Sequence, residues 1–191
     1  MASDIVFPKG NENALISMAK RLGYDGLTLV YEYDRSFRRL SLDSLGLSLR
    51  YGLLCSPSDI EKAQGLCDFI LVRSGPKDRY VIERQKPDMM FGLESLERKD
   101  SLHARNSGLN QVLCTLMSKN DISLGISFSS LLRCEHLLRA TLLGRMMQNI
   151  ILCQKYKVNI MLASFASDPL GMRNPKDLLS LARLIGIRQN I

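Results

Sequence analysis

The chain of 191 residues has no tryptophan, two histidines and five cysteines, and each scarcity removes a class of protein. His103 and His136 form neither a His-x-His nor a His-Glu-x-x-His arrangement, too few ligands for a barrel hydrolase that gathers a metal at its strand ends. Cys55, Cys67, Cys114, Cys134 and Cys153 are odd in number and lack any Cys-x-x-Cys spacing, which argues against a disulfide framework and against structural zinc. Four of them sit among Leu, Ile and Val and read as small buried hydrophobes. No apolar run approaches the roughly 20 residues of a bilayer span; Leu142–Cys153 is interrupted by Arg145, Gln148 and Asn149. Met1-Ala2-Ser3-Asp4 offers neither a basic start nor an apolar stretch, so no secretory signal and no membrane are expected, and the cytoplasm is the expected location. Low-complexity segments, arginine-rich tails and Pro/Gly linkers are missing as well, and a single domain over residues 1–191 is expected.

What is present is a rhythm of short apolar runs and helical patterns. Candidate strands are Asp4–Phe7, Gly26–Tyr31, Ser48–Leu54, Phe69–Arg73, Met89–Gly92, Ser123–Ser127 and Asn159–Ala163. Most are continuously apolar, as in a sheet covered on both faces. Candidate helices are Asn13–Leu22, Pro57–Gln64, Asp78–Lys86, Gly108–Lys119, Glu135–Lys155 and Pro175–Leu184. Strand followed by helix, repeated along the chain, predicts an α/β fold of the TIM-like β/α barrel type, with right-handed crossovers. Seven strands rather than eight make it irregular or incomplete: either the second segment, Leu40–Asp43, is irregular, or the barrel lacks a strand. Asn13 is the expected cap of the first helix, with Gly23 at its end. Ser56-Pro57-Ser58 and Asn174-Pro175 each place proline near a helix start, and Gly186 closes the last helix. Within Glu135–Lys155, Leu138, Leu142, Met146 and Ile150 form one apolar row and Leu143, Met147 and Ile151 a second. Both rows are expected in the core or against a protein partner, with Arg145 on the flank and Gln148 and Asn149 on the polar side.

Side-chain chemistry offers little for catalysis. Ser129 and Ser130 lie near His136 without a Gly-x-Ser-x-Gly elbow or an acid partner. Glu32, Asp34 and Glu94 fall at strand ends, where Glu32 and Glu94 could form an acid/base pair or anchor loops. Ser74-Gly75-Pro76 could hold one phosphate through backbone amides. Net charge is +7, from 26 Lys and Arg against 19 Asp and Glu, so a polyanion partner is favoured. Arg73, Lys77, Arg79, Arg84 and Lys86 crowd one strand–helix unit. Arg98, Lys99 and Arg105 fill the following loop, and Arg35, Arg38 and Arg39 form a third group. Adjacent units could merge the first two groups into one phosphate-contacting patch; the bland reading is a solvated face paired to Asp78, Glu83, Glu97 and Asp100.

Four pieces carry a resemblance to a known family. They are Ser107-Gly108-Leu109-Asn110-Gln111-Val112-Leu113 with Leu116-Met117 and Lys119-Asn120; Leu124-Gly125-Ile126-Ser127-Phe128 with Leu131-Leu132; Arg139-Ala140, Leu142-Leu143, Met146-Met147 and Lys155-Tyr156-Lys157-Val158; and Ser164, Ala166, Arg173-x-Pro175-x-Asp177-Leu178 and Ile185-Gly186. In order and spacing, over residues 66–187, they resemble the component 3 family of archaeal ribonuclease P and its eukaryotic counterpart. The resemblance implies an irregular β/α barrel with no catalytic residues and no cofactor of its own. In such a complex the ribonuclease P RNA, with Mg2+, removes the 5′ leader of precursor tRNA, which this subunit meets only indirectly. The implied protein partner is ribonuclease P protein component 2, as a heterotetramer with two copies of each. Arg79, Arg105, Lys119, Arg173 and Asp177 are the positions implied to matter, and Arg73, Lys77 and Arg84 join them from the charge pattern. Arg173 and Asp177 are spaced to pair across a helix start, so anchoring the last loop is their alternative role. Asn110-Gln111 departs from the family pattern and excludes a histidine role there. The chain also stops early against that pattern, so the family's terminal strand and helix are not expected within it. Two other readings stay open: a stand-alone metal-dependent barrel hydrolase, and a scaffold that binds protein only.

Overall fold

The computed structural model describes residues 2–95, 100 and 105–188. Glu97, Arg98, Lys99 and His103 lie outside the described residues. Seven strands, β1 (Ser3–Val6), β2 (Gly26–Glu32), β3 (Ser48–Cys55), β4 (Phe69–Arg73), β5 (Met89–Phe91), β6 (Ser123–Ser127) and β7 (Ile160–Ala163), form one all-parallel sheet in sequence order. Around them run α1 (Glu12–Leu22), α2 (Ile60–Ala63), α3 (Asp78–Tyr80, continued by a π-helical turn Val81–Gln85), α4 (Gln111–Lys119), α5 (Phe128–Arg133), α6 (His136–Lys155) and α7 (Pro175–Leu184). A 3-10 turn, Pro169–Gly171, precedes α7. This is the irregular TIM-like barrel that the alternation predicts, with strand bounds within one residue of expectation.

Among the described residues, closure is made without an eighth strand. Past Ala163 the chain bends, Phe165 adopts a left-handed φ of 49°, and the next residues pair with β1 instead of β6. Phe165 N donates to Ile5 O and Phe7 N to Ala166 O, each at 2.8 Å, and Val6 bridges Ala166 in parallel. The bend takes Ser164 out of the ladder, and three other groups satisfy it. Its N–H donates to Asp4 Oδ1 at 2.7 Å, and its carbonyl accepts from Ser129 N at 3.0 Å and Ser129 Oγ at 2.8 Å. Asp4 Oδ1 also accepts from Ile5 N, whereas Oδ2 has no partner. Burial pushes the Asp4 carboxyl up to about 6, against the lowering effect of these hydrogen bonds.

Period-two alternation separates the barrel interior from the helix-facing side. Ile5, Val30, Leu71, Met89, Phe91, Ala163 and Phe165 fill the interior as one cluster. Seven strands enclose less room than eight, and glycines stand where that shortage is felt. A Cβ on Gly125 would lie 2.6 Å from Met89 Sδ and 3.1 Å from Phe165 Cζ; one on Gly52 would meet Val30 Cγ2 at 3.0 Å. Outside, α1 packs Leu15, Ile16 and Ala19 on Val6, Leu27 and Leu29, while the remaining helices share a larger core around Ile82, Cys114, Met146, Ile150 and Cys153.

Local expectations fare unevenly. Gly23 ends α1 at φ 83°, and Asn174 caps α7 with Pro175 at its first position, as the sequence predicts. Asn13 is not the cap of α1, which starts at Glu12 after Asn11. Pro57 precedes α2 rather than opening it, and α4 begins only at Gln111, where Asn110 Oδ1 accepts from Leu113 N. No helix separates β2 from β3; that irregular connection is held by Tyr51 Oη to Leu40 O and by the Arg39–Asp68 ion pair. The short α5 (Phe128–Arg133) lies outside the predicted helices. The larger correction concerns α6. Leu142, Met146 and Ile150 are buried, but Leu138 is 55%, Met147 43% and Ile151 67% exposed, and Arg145 and Asn149 are inside. The helix is turned toward the β5–α4 loop: Arg145 donates to Asp100 Oδ1 and to the Ser95 and Glu94 carbonyls, and Asn149 Nδ2 to Ser107 O at 2.8 Å.

Candidate nucleic-acid interface

In a barrel of this hand each strand ends, and each following helix starts, at one mouth; helices end at the opposite rim. That geometry sorts the predicted cations. Arg73 ends β4 at the mouth, its guanidinium 5.3 Å over the Phe91 ring. Lys77 and Arg79 stand exposed at the start of α3, Arg79 in an ion pair with Glu83 at 3.8 Å. Arg105 comes to the same end from the other side, with Nη1 donating to Gly144 O of α6 at 3.3 Å. Arg84 and Lys86, by contrast, sit on the π turn that leads down to β5, and Lys119 ends α4 beside it, where Asn120 Nδ2 donates to Ile82 O. The strand–helix unit therefore splits its positive charge between two ends instead of presenting one patch.

Arg173 and Asp177 do not pair. Arg173 Nη1 donates to the carbonyls of Leu170 and Met172, and the guanidinium lies 5.2 Å over Phe128. Asp177 is exposed in the first turn of α7. Arg173 thus ties the last loop to α5. In the third group, Arg39 is held by Asp68, while Arg38 donates to Phe37 O.

Several chemical candidates are spent on structure. Gly75 N donates to Asp78 Oδ1 at 2.6 Å and Ser74 N to Phe91 O at 2.9 Å, so these amides are not a phosphate cradle. Ser129 Oγ serves the barrel seam rather than His136. Burial pushes the Cys55 thiol up to about 12, far from a nucleophile at neutral pH. Among the described residues, no three His, Cys, Asp or Glu side chains converge to hold a metal ion, and no helix is long and apolar enough to cross a membrane.

The mouth itself is a cleft of about 640 Å³. Alternation carries each interior row upward to it: Val30 to Glu32, Gly52 to Leu54, Leu71 to Arg73, Met89 to Phe91, and Gly125 to Ser127. Glu32 and Glu94 both line it, Glu94 almost fully buried. Lys9, Arg133, Phe7 and Phe165, none of them among the predicted site residues, reach the cleft from loops and α5. Only knowledge of which strand ends adjoin would have found them.

Fold and lining together define an irregular α/β barrel whose mouth and rims carry exposed cations. The family model described as RNase P subunit p30 matches residues 4–191, and the chain belongs to that family. The match reaches the first strand, well before residue 66, where the sequence resemblance begins. Ribonuclease P protein component 3 of Methanosarcina barkeri is similar to it at 26% identity, over 92% of this chain and 75% of that protein. The protein of the same name from Methanococcus maripaludis is 25% identical over 85% and 74%. Among solved structures, a chain in archaeal ribonuclease P with mature tRNA superposes with a TM-score of 0.79 at 23% identity, covering 96% of this chain and 82% of that one. A histidinol phosphate phosphatase from Lactococcus lactis, complexed with zinc, L-histidinol and phosphate, shares the fold at a TM-score of 0.62 and 9% identity, covering 95% and 93%.

Proposed function

We propose that this chain is a non-catalytic protein subunit of ribonuclease P, which binds the catalytic RNA and a partner protein and so supports removal of the 5′ leader from precursor tRNA. The observation that carries the reading is family membership over residues 4–191. Exposed cations at both ends of the barrel support it: Arg73, Lys77, Arg79 and Arg105 at the mouth, and Arg84 and Lys119 at the opposite rim. Phosphate contacts from two separated sets suit a protein lodged between RNA helices, where it offsets their mutual repulsion without reading bases. Mg2+ for hydrolysis belongs to the RNA in this reading, and no step of the chemistry passes through this chain. Arg173 contributes by holding the last loop against α5, not by gripping RNA.

The proposed protein partner is ribonuclease P protein component 2, two copies with two of this chain. Apolar side chains left in water, such as Leu137 at 83% and Ile151 at 67% exposed, support a protein partner. Reconstitution tests the whole reading: RNA and the remaining subunits are assembled with and without this chain, and leader cleavage is measured. A clear loss of cleavage on omission is expected; an unchanged rate at moderate salt and Mg2+ refutes the subunit role. Leader removal by the purified chain without RNA would refute it from the other side.

A further inference from the structure

The cleft at the barrel mouth has a composition that phosphate contact alone does not use. At about 640 Å³ it falls within the range of small-ligand pockets. Its floor is aromatic: Phe7, Phe91 and Phe165 stand with ring centroids 5.9, 5.8 and 5.3 Å apart, Phe91 stacked on Phe165. Around the floor stand Lys9, Arg73 and Arg133, all exposed, and none of the three is in an ion pair with another described residue. Arg73 lies over Phe91, which holds its guanidinium in place above the floor. Glu32, the buried Glu94 and the hydroxyl-bearing Ser127, Ser130 and Ser167 also stand in the wall.

We propose that this cleft binds a single ribonucleotide. A bare phosphate would satisfy the three cations but leave the aromatic floor unused. An uncharged aromatic would cover the floor and leave the three exposed cations without an anionic partner. A nucleotide meets both demands, since its base can stack on the Arg73 guanidinium and the half-buried Phe7 while its phosphate lies against Lys9 and Arg133. Glu32 is an acceptor for ribose hydroxyls or an exocyclic amine, a contact a phosphate cannot make. The nucleotide is either free or one unstacked residue of an RNA strand; in the second case the inference deepens the proposed function and rests on it.

The test is titration calorimetry on the full chain with AMP, CMP, GMP and UMP, with inorganic phosphate and adenosine as part-ligands, and with a short single-stranded RNA. Saturable binding of at least one nucleotide is expected, with both part-ligands about tenfold weaker or more. Arg73→Ala should weaken it about tenfold or more, the loss of one stacking platform. Arg73→Lys, which keeps the charge but not the plane, should fall between. Lys20→Ala, in the last turn of α1 at the opposite rim, should change nothing, and thermal melts of each variant separate binding from unfolding. If the RNA competes with the mononucleotide, the occupant is a residue of a strand; if it does not, the occupant is a free nucleotide. Either outcome supports the cleft. No saturable binding of any nucleotide or of the RNA below about 5 mM, a ceiling weaker than any useful affinity, overturns it, as does binding that Arg73→Ala leaves unchanged. None of these readouts depends on leader cleavage, so the cleft and the subunit role can fail separately.

Discussion

The carboxylate at the seam provides the sharpest check on how the barrel closes. Asp4 is fully buried, its Oδ1 taken by Ser164 N and Ile5 N and its Oδ2 without a partner. Burial raises its pKa from 3.8 to about 6. A carboxyl with a raised pKa adds stability when protonated: the benefit is full below 3.8 and is lost as pH rises through about 6. At pH 8 the charged group therefore costs the fold about 3 kcal/mol, at ~1.4 kcal/mol per pKa unit. Between pH 8 and pH 5 about half of that, ~1.5 kcal/mol, is recovered. Asp4→Asn keeps an oxygen for Ser164 N but cannot ionise. Urea unfolding of both proteins at pH 8 and pH 5 isolates the group, because other titrating residues cancel in the difference. The variant should be more stable relative to the parent at pH 8 than at pH 5, by about 1.5 kcal/mol. An equal difference at the two pH values would show that Asp4 is solvated and that the seam is closed some other way.

Other perturbations probe the remaining links. Gly125→Ala places a methyl against Met89 and Phe165 inside the narrow barrel, and a loss of about 1–3 kcal/mol is expected in the same urea titration; a neutral result would mean the interior has spare room. Arg145→Met removes the donors that hold the Ser95 and Glu94 carbonyls and Asp100, so hydrogen exchange over residues 105–110 should quicken and stability fall by about 2–4 kcal/mol. Arg173→Ala should lower thermal stability by about 1–2 kcal/mol through the lost bonds to Leu170 and Met172, with the salt slope of RNA binding unchanged. Lys77→Ala and Arg84→Ala should do the reverse: stability within about 0.5 kcal/mol of the parent, and the slope of log affinity against log salt, roughly −3 to −4 for four neutralised phosphates, shallower by about one unit each.

Local pattern determined much of this protein. Apolar runs, continuous in most of the strands, specified seven parallel strands to within a residue, because a strand covered on both faces leaves few positions for polar side chains. Gly23 and Asn174-Pro175 marked helix ends through backbone conformations that need no distant partner. Alternation along β2 and β4 was already enough to send Glu32 and Arg73 to the mouth. The tertiary structure decided the rest. The two apolar rows of α6 are alike in sequence, and which one is buried depends on the neighbours: the β5–α4 loop supplies carbonyls and Asp100, so Arg145 and Asn149 turn inward while Met147 and Ile151 face water. Arg73 and Arg84 are eleven residues apart in one basic run, yet the fall of the helix carries them to opposite ends. The left-handed Phe165, the rescue of Ser164 by Asp4, and the meeting of Lys9, Arg133 and three phenyl rings over one cleft all join segments far apart in the chain. A one-dimensional pattern records the period of each element but not the neighbour that will satisfy its leftover hydrogen bonds, and here those neighbours set both the seam and the site.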